Sequence, residues 1–218
     1  MIKNLLKPEF LSKNSQKIMI DYEIAKNELI SGNIKNCEKF FKSNGYLLEY
    51  GYCLLLKGKL SDAEKFLKKS DSLRADWAIK LISFMRGYVE VLPTYFQIRN
   101  FLEIDINLLI MYKQTESIQY ILGGADLMYS VNKETYKFIA RVMMNNGYYD
   151  VSKKYLDKYK DDTYNDPELH FMYALYYINL KNYDKATISV DNCLDVLPEY
   201  YPAKQMKLWL NNINKTSD

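Results

Sequence analysis

Residues 167–200 read PELHFMYALYYINLKNYDKATISVDNCLDVLPEY, and this stretch decides the fold. In it Tyr173-Ala174 and Tyr177 are followed by Tyr183-Asp184-Lys185-Ala186, Val190, Cys193 and Pro198. Apolar residues three and four apart, in two runs separated by Lys181-Asn182, predict two amphipathic helices joined by a tight turn. The order recurs upstream with a period of 34 residues. Residues 133–166 carry Ile139-Ala140 and Met143, then Tyr149-Asp150, Ser152, Leu156 and Tyr159. Residues 99–132 set Ile106, Leu109, Ile118, Leu122 and Ala125 in the equivalent slots, more degenerately. The fit recovers over 44–77 with Tyr50-Gly51, Leu54, Leu60-Ser61-Asp62-Ala63 and Leu67. A shortened unit precedes it, with Ile24-Ala25, Gly32-Asn33-Ile34, Cys37 and Phe41.

One such hairpin cannot bury its own apolar stripe, so neighbours must stack on it. Small residues at Gly51, Ala63, Ala140, Ala174 and Ala186 allow helix axes to approach to about 8–10 Å. Turn signals fall between the runs, at Lys57-Gly58-Lys59, Asn145-Asn146-Gly147 and Lys181-Asn182. The pattern resembles that of the tetratricopeptide repeat, W-x2-L-G-x2-Y, then A-x3-F, then P. The resemblance implies an all-α fold, a right-handed α-α superhelix of helical hairpins with a C-terminal capping helix. The expected organisation is a helical or extended lead-in over 1–17, two hairpins over 18–77, and an irregular helical insert over 78–98. Three repeats follow over 99–132, 133–166 and 167–200, then a capping helix and tail over 201–218. In the insert, 77–85 still looks helical. Gly87-Tyr88-Val89-Glu90-Val91-Leu92-Pro93 breaks the pattern, with Pro93 suited to opening the next helix. In the cap, Ala203, Met206, Trp209 and Leu210 share one face, leaving Lys204, Lys207, Asn211 and Asn212 for a polar outer one.

The 218 residues, 48% of them apolar, suffice for a large core without disulfide staples. The net charge of +3 is dispersed, with no basic stripe to track phosphates, so nucleic acid is not an expected partner. Cys37, Cys53 and Cys193 show no C-x2-C spacing and read as buried, inert thiols. Lys3, Lys7, Pro8, Glu9, Lys13 and Lys17 interrupt the first twenty residues, leaving no signal-peptide core, and no apolar run has membrane-spanning length. The expectation is a cytoplasmic protein without membrane insertion. Heavy use of Lys, Asn and Tyr beside four Arg looks like codon bias in an AT-rich, Gram-positive-like bacterial genome.

Candidates for chemistry dissolve one by one. His170 is the single histidine and has no second His, Cys or Asp at ligand spacing. It is expected to pack or to sit at the surface. Gly123-Gly124 lacks any phosphate-loop context and is expected to permit a bend or a close helix crossing. The acids of 157–166 are interspersed with Lys158 and Lys160, and Asp162-Thr163 and Asp166-Pro167 look like helix caps. Many of the 21 tyrosines, including Tyr50, Tyr173, Tyr177 and Tyr183, fall in packing slots. No catalytic set, cofactor or metal is predicted.

What remains is a groove. In tetratricopeptide proteins the first helix of each pair lines a concave face, which by slot implies Tyr22, Lys26, Leu48, Tyr52, Glu103, Asn107, Lys137, Arg141, Phe171 and Leu175. Lys137 and Arg141 share a helix face beside Phe171, an arrangement suited to gripping an acidic, partly apolar peptide. A subgroup of the family clamps a C-terminal carboxylate with Lys, Asn and Arg. Here those slots hold Glu103, Asn107, Phe138, Glu168 and Met172, so that clamp is not expected. The implied function is a non-catalytic scaffold or adaptor holding a protein or peptide segment. The alternatives are a sensor of a short signalling peptide, as in Gram-positive receptors of similar repeat architecture, and an enzyme using 78–132. A homo-oligomer through Tyr88, Val91, Leu92 and Phe96 is also open.

Overall fold

The structure, a computed structural model, describes residues 13–162 and 165–216. The lead-in over 1–12, the Thr163 part of the expected cap and residues 217–218 lie outside the described residues, as does the side chain of Asp162. Among the described residues the chain is all-α, with thirteen helices and no strand.

Two compact units divide it. The first takes in residues up to Gln97 together with Leu108–Gly124, and the second Ile98–Asn107 together with residues from Ala125 onward. The first holds α1 (Lys13–Ile30), α2 (Ile34–Ser43), α3 (Leu47–Leu56), α4 (Leu60–Leu67), α5 (Leu73–Met85) and α7 (Thr115–Gly123). It also holds both ends of α6 (Tyr95–Met111). The second holds the middle of α6 with α8 (Ala125–Val131), α9 (Thr135–Asn145), α10 (Tyr149–Asp162), α11 (Pro167–Asn179), α12 (Tyr183–Val196) and α13 (Tyr201–Thr216). In the first unit α1 packs on α2 and α3 on α4; in the second α9 packs on α10, α11 on α12, and α12 on α13.

One turn recurs. Three residues link α1 to α2, α3 to α4, α6 to α7, α9 to α10 and α11 to α12. In the α3–α4 turn the Gly58 N–H donates to the Leu55 carbonyl at 2.9 Å and the Lys59 N–H to the Leu54 carbonyl at 2.9 Å. This crossed pair satisfies the last carbonyls of the helix and needs a left-handed residue in the middle. Gly58, at φ 73°, takes that conformation without steric cost. Lys113 and Lys181 take it at φ 58° and 57°, in turns with the same crossed bonds.

The first unit's core is apolar. Cys37, Phe41, Cys53, Ala63, Leu67, Trp77, Leu81 and Ile82 are all buried, and each large side chain there contributes about 1.5–3 kcal/mol. The Cys37 and Cys53 thiols are in hydrogen-bond contact, and burial pushes the pKa of both upward. In the second unit Ala174, Ala186, Val190, Cys193, Ala203 and Leu210 form one fully buried cluster. The cap residue Met206 packs partly buried against it, whereas Trp209 is exposed.

α5 runs unbroken through residue 77, where the second hairpin was expected to end. The break after it is real, but Pro93 does not open α6. Thr94 is the N-cap, and its side chain and that of Gln97 bond each other's backbone N–H in a capping box. Fully buried Gln97 also donates to Asp76 Oδ2 at 2.6 Å, tying α6 to α5. Gly123-Gly124, expected to permit a bend or a close crossing within one helix, instead separates α7, which ends at Gly123, from α8, which begins at Ala125. A Cβ on Gly124 would lie 2.4 Å from Phe84 Cδ1, so the backbone crosses that ring at the closest distance glycine allows.

Candidate binding face of the second unit

Glu103 stands on α6, Lys137 and Arg141 one turn apart on α9, and Glu168 and Phe171 in the first turns of α11. Asp166 caps α11: its side chain accepts from the Glu168 N–H at 2.9 Å, with Pro167 in the first turn. Glu134 sits at the N-cap of α9. The expected cap at Asp166-Pro167 is therefore present, and it does a second job.

Lys137 is buried, 6% exposed. Its ammonium lies 2.8 Å from Asp166, 3.0 Å from Glu134 and 3.2 Å from Glu168. Its Nζ is also 5.5 Å from the Tyr159 ring centroid, while the Tyr159 hydroxyl donates to Asp166 at 2.8 Å. Burial alone would lower the lysine pKa, but hydrogen bonds to Asp166 and Glu134 outweigh it and hold the group above its ordinary value. Burial likewise pushes Asp166 up, and the bonds from Lys137 and Tyr159 outweigh that, leaving the carboxyl below its ordinary range.

Arg141 carries the network outward. One guanidinium nitrogen bonds Glu168 Oε1 and another lies 3.1 Å from Glu103 Oε1. The latter contact is off hydrogen-bond geometry, and the buried Glu103 Oε1 takes no hydrogen bond, although Oε2 accepts from Arg141 at 3.3 Å. Burial raises the Glu103 carboxyl above its ordinary value despite Arg141. The side chains of Glu103, Arg141 and Glu168 are 31%, 32% and 33% exposed, so this outer edge meets solvent. Phe171 and Leu175 are half-buried further along α11, and Phe171 meets Tyr200 edge-on at 5.5 Å.

This corrects the sequence reading in one respect. Lys137 and Arg141 were expected to be available to an acidic peptide. Lys137 is inside, and both cations are taken by Glu103, Glu134, Asp166 and Glu168, so the network holds two more carboxylates than cations. The sequence put Glu103 on the same expected face as Lys137 and Arg141 and set Glu168 in a clamp slot there, but missed Glu134 and Asp166. Only the capping pattern at Asp166-Pro167 hinted at them.

Other expected residues have separate partners. In the second unit Asn107 accepts from Asn146 Nδ2 at 3.0 Å. In the first, Tyr22 donates to Glu49 at 2.7 Å and its ring packs near Tyr46 and Phe41, and burial and Glu49 raise its pKa. Lys26 is exposed, 3.9 Å from Glu23, and Leu48 is half-buried. Tyr52 is buried, with the Arg74 guanidinium 4.7 Å from its ring centroid, which removes it from an open face. Tyr88, Val91, Leu92 and Phe96 are exposed. Among the described residues no group of three or more His, Cys, Asp or Glu side chains is placed to hold a metal ion. No helix described is long and apolar enough to cross a membrane.

No family description, curated protein or solved structure matches the chain.

Proposed function

We propose that this chain is a non-catalytic interaction scaffold of tetratricopeptide-like hairpins. In this reading they stack as a right-handed superhelix capped by α13, and a partner's segment lies along the first-helix face. The observation that carries the reading is the solvent-reaching edge formed by Glu103, Arg141 and Glu168 beside half-buried Phe171 and Leu175. Its excess of carboxylates favours a segment bearing Lys or Arg, with an apolar residue to cover Phe171 and Leu175. Such a face holds charge and apolar area side by side, as recognition surfaces do. A reducing, cytoplasmic setting belongs to the same reading, since Cys37, Cys53 and Cys193 are buried free thiols.

The test is affinity capture of the tagged chain from its host's lysate, in parallel with a Glu103→Gln/Glu168→Gln variant shown to be folded by circular dichroism. The neutral amides keep the shape and leave Lys137 its bonds to Asp166 and Glu134. A partner held by the native chain and lost by the variant supports the face. A partner held equally by both removes it.

A further inference from the structure

We propose that a trough between α10, α11 and α12 binds a small phosphate ester. The site stands on residues outside the proposed protein-binding edge, so either proposal survives failure of the other.

The trough has a volume of about 260 Å3, and each helix lines it at the spacing of one face. From α10 come Lys153, Asp157 and Lys160; from α11 His170, Tyr173 and Tyr177; from α12 Lys185, Ser189 and Asn192. Residues four and seven apart on a helix project to the same side, so the three stripes converge. Three ammonium groups and one carboxylate therefore share a single concavity. Like charges concentrated in a concave wall raise the local potential and draw an anion in.

The cations are oriented. The Tyr173 and Tyr177 rings are stacked along α11, 6.4 Å apart at 23°. Lys153 Nζ lies 5.6 Å from the Tyr173 centroid and Lys185 Nζ 5.6 Å from that of Tyr177. Each cation thus rests over one ring, an attraction that holds it without neutralising it. Lys153 is further fixed by both oxygens of Asp157, at 2.6 and 2.7 Å, and the Tyr173 hydroxyl donates to the same carboxylate at 2.7 Å. Asp157 therefore belongs to Lys153 and Tyr173, and among the described lining residues the net positive charge falls to Lys160 and Lys185.

Phosphate fits these donors better than carboxylate does. Lys acts on an anion as a point charge, and the two ammonium groups not taken by Asp157, Lys160 and Lys185, balance the charge of about −2 on a phosphate monoester, whereas a carboxylate would leave one cation over. His170, 8% exposed, also lines the trough. The volume falls below the roughly 300–1,000 Å3 of sites for drug-sized ligands, which limits the ligand to a few carbons. Asn192 and the Asp157 carboxylate edge supply partners for hydroxyl groups on those carbons.

Calorimetric titration of the full chain with glycerol 3-phosphate, at constant ionic strength, tests this. Saturable binding is expected, weakened about tenfold by Lys160→Gln and again by Lys185→Gln, and unchanged by Lys204→Gln outside the trough. Ile188→Trp, which enlarges an exposed residue of the lining, is expected to block binding without touching a charge. Absence of saturable binding overturns the proposal, as does equal binding by the doubly substituted Lys160→Gln/Lys185→Gln chain. Inorganic phosphate binding as tightly as the ester overturns the assignment of an ester, because the carbon chain would then contribute nothing.

Discussion

Hairpin α3–α4 of the first unit and hairpin α9–α10 of the second turn through the same crossed backbone bonds and close on opposite chemistry. α3 buries Cys53, Leu54 and Leu55, and α4 buries Ala63 and Leu67. α3 also buries Tyr50 and Tyr52, and Cys53 meets the Cys37 thiol of α2, where burial pushes both pKa values up. On α9 the buried set includes Thr135 and Lys137, and on α10 Ser152, whose hydroxyl donates to the Ala140 carbonyl at 2.8 Å. The turn and the small residues suffice to pair the helices. What fills the pair is then free to differ, and the second unit uses that freedom to build an ionic network that ends at solvent.

The largest test removes the ion at the centre. Lys137→Ala leaves half-buried Asp166 and Glu134 without their buried cation and is expected to cost about 3–5 kcal/mol in chemical denaturation. Cys53→Ala, in the apolar hairpin, is expected to cost only about 1 kcal/mol. Equal costs would break the comparison. The pH dependence sharpens it. Asp166 titrates below its ordinary value, so its stabilisation is present above about pH 3.9 and is lost as pH falls through the depressed value. Lys137 titrates above its ordinary value, so its share is present below about pH 10.4 and is lost only as pH rises through the raised one. The gap between native chain and Lys137→Ala should therefore be flat through neutral pH and narrow in acid, while that for Cys53→Ala should not change there.

These two hairpins also show why sequence reading reaches some features and not others. The paired helices and the turns at 57–59, 146–148 and 180–182 were legible because they rest on local spacing and on glycine, asparagine and lysine between apolar runs. At Gly123-Gly124 the sequence suggested a bend or a close crossing within one helix, and the end of α7 there was not legible. Nor was the turn at Tyr112-Lys113-Gln114, since neither glycine nor asparagine marks it. Thr94 and Gln97 carried a capping-box signal that the neighbouring Pro93 obscured. The ion network was only half visible. Lys137 and Arg141 lie one turn apart, but Asp166 reaches Lys137 across 29 residues and Glu103 reaches Arg141 across 38, distances that only packing closes. Lys153 and Lys185, likewise, look like solvated surface until α10 and α12 bring them to one trough.

A junction in the first unit isolates space from chemistry, with an intermediate effect. Gly124→Ala puts a methyl group into Phe84, a ring 2% exposed and unable to swing away, and is expected to cost about 1–3 kcal/mol. Gly123→Ala, one residue earlier at the end of α7, meets nothing within 4 Å and is expected to stabilise by about 0.5–1 kcal/mol. Opposite signs from adjacent glycines in the same denaturation series would show that a crossing, rather than general flexibility, requires Gly124. Matching signs would remove the crossing as the reason.

The smallest effect probes the turn that the hairpins share, at α9–α10 and α11–α12. Gly147 occupies the left-handed position of the α9–α10 turn at φ 80°, and a Cβ there meets nothing within 4 Å. Gly147→Lys should therefore cost only the conformational penalty, about 1 kcal/mol. Lys181 bears that same penalty in the α11–α12 turn at φ 57°, so Lys181→Gly should return up to about 1 kcal/mol, less the greater freedom glycine gives the unfolded chain. A chain carrying both changes should unfold near the native midpoint, because the two turns have the same hydrogen bonds and lie in different hairpins. If Lys181→Gly instead destabilises by as much as Gly147→Lys does, the lysine side chain contributes something at the α11–α12 turn that the backbone geometry does not, and the turns are alike in form alone.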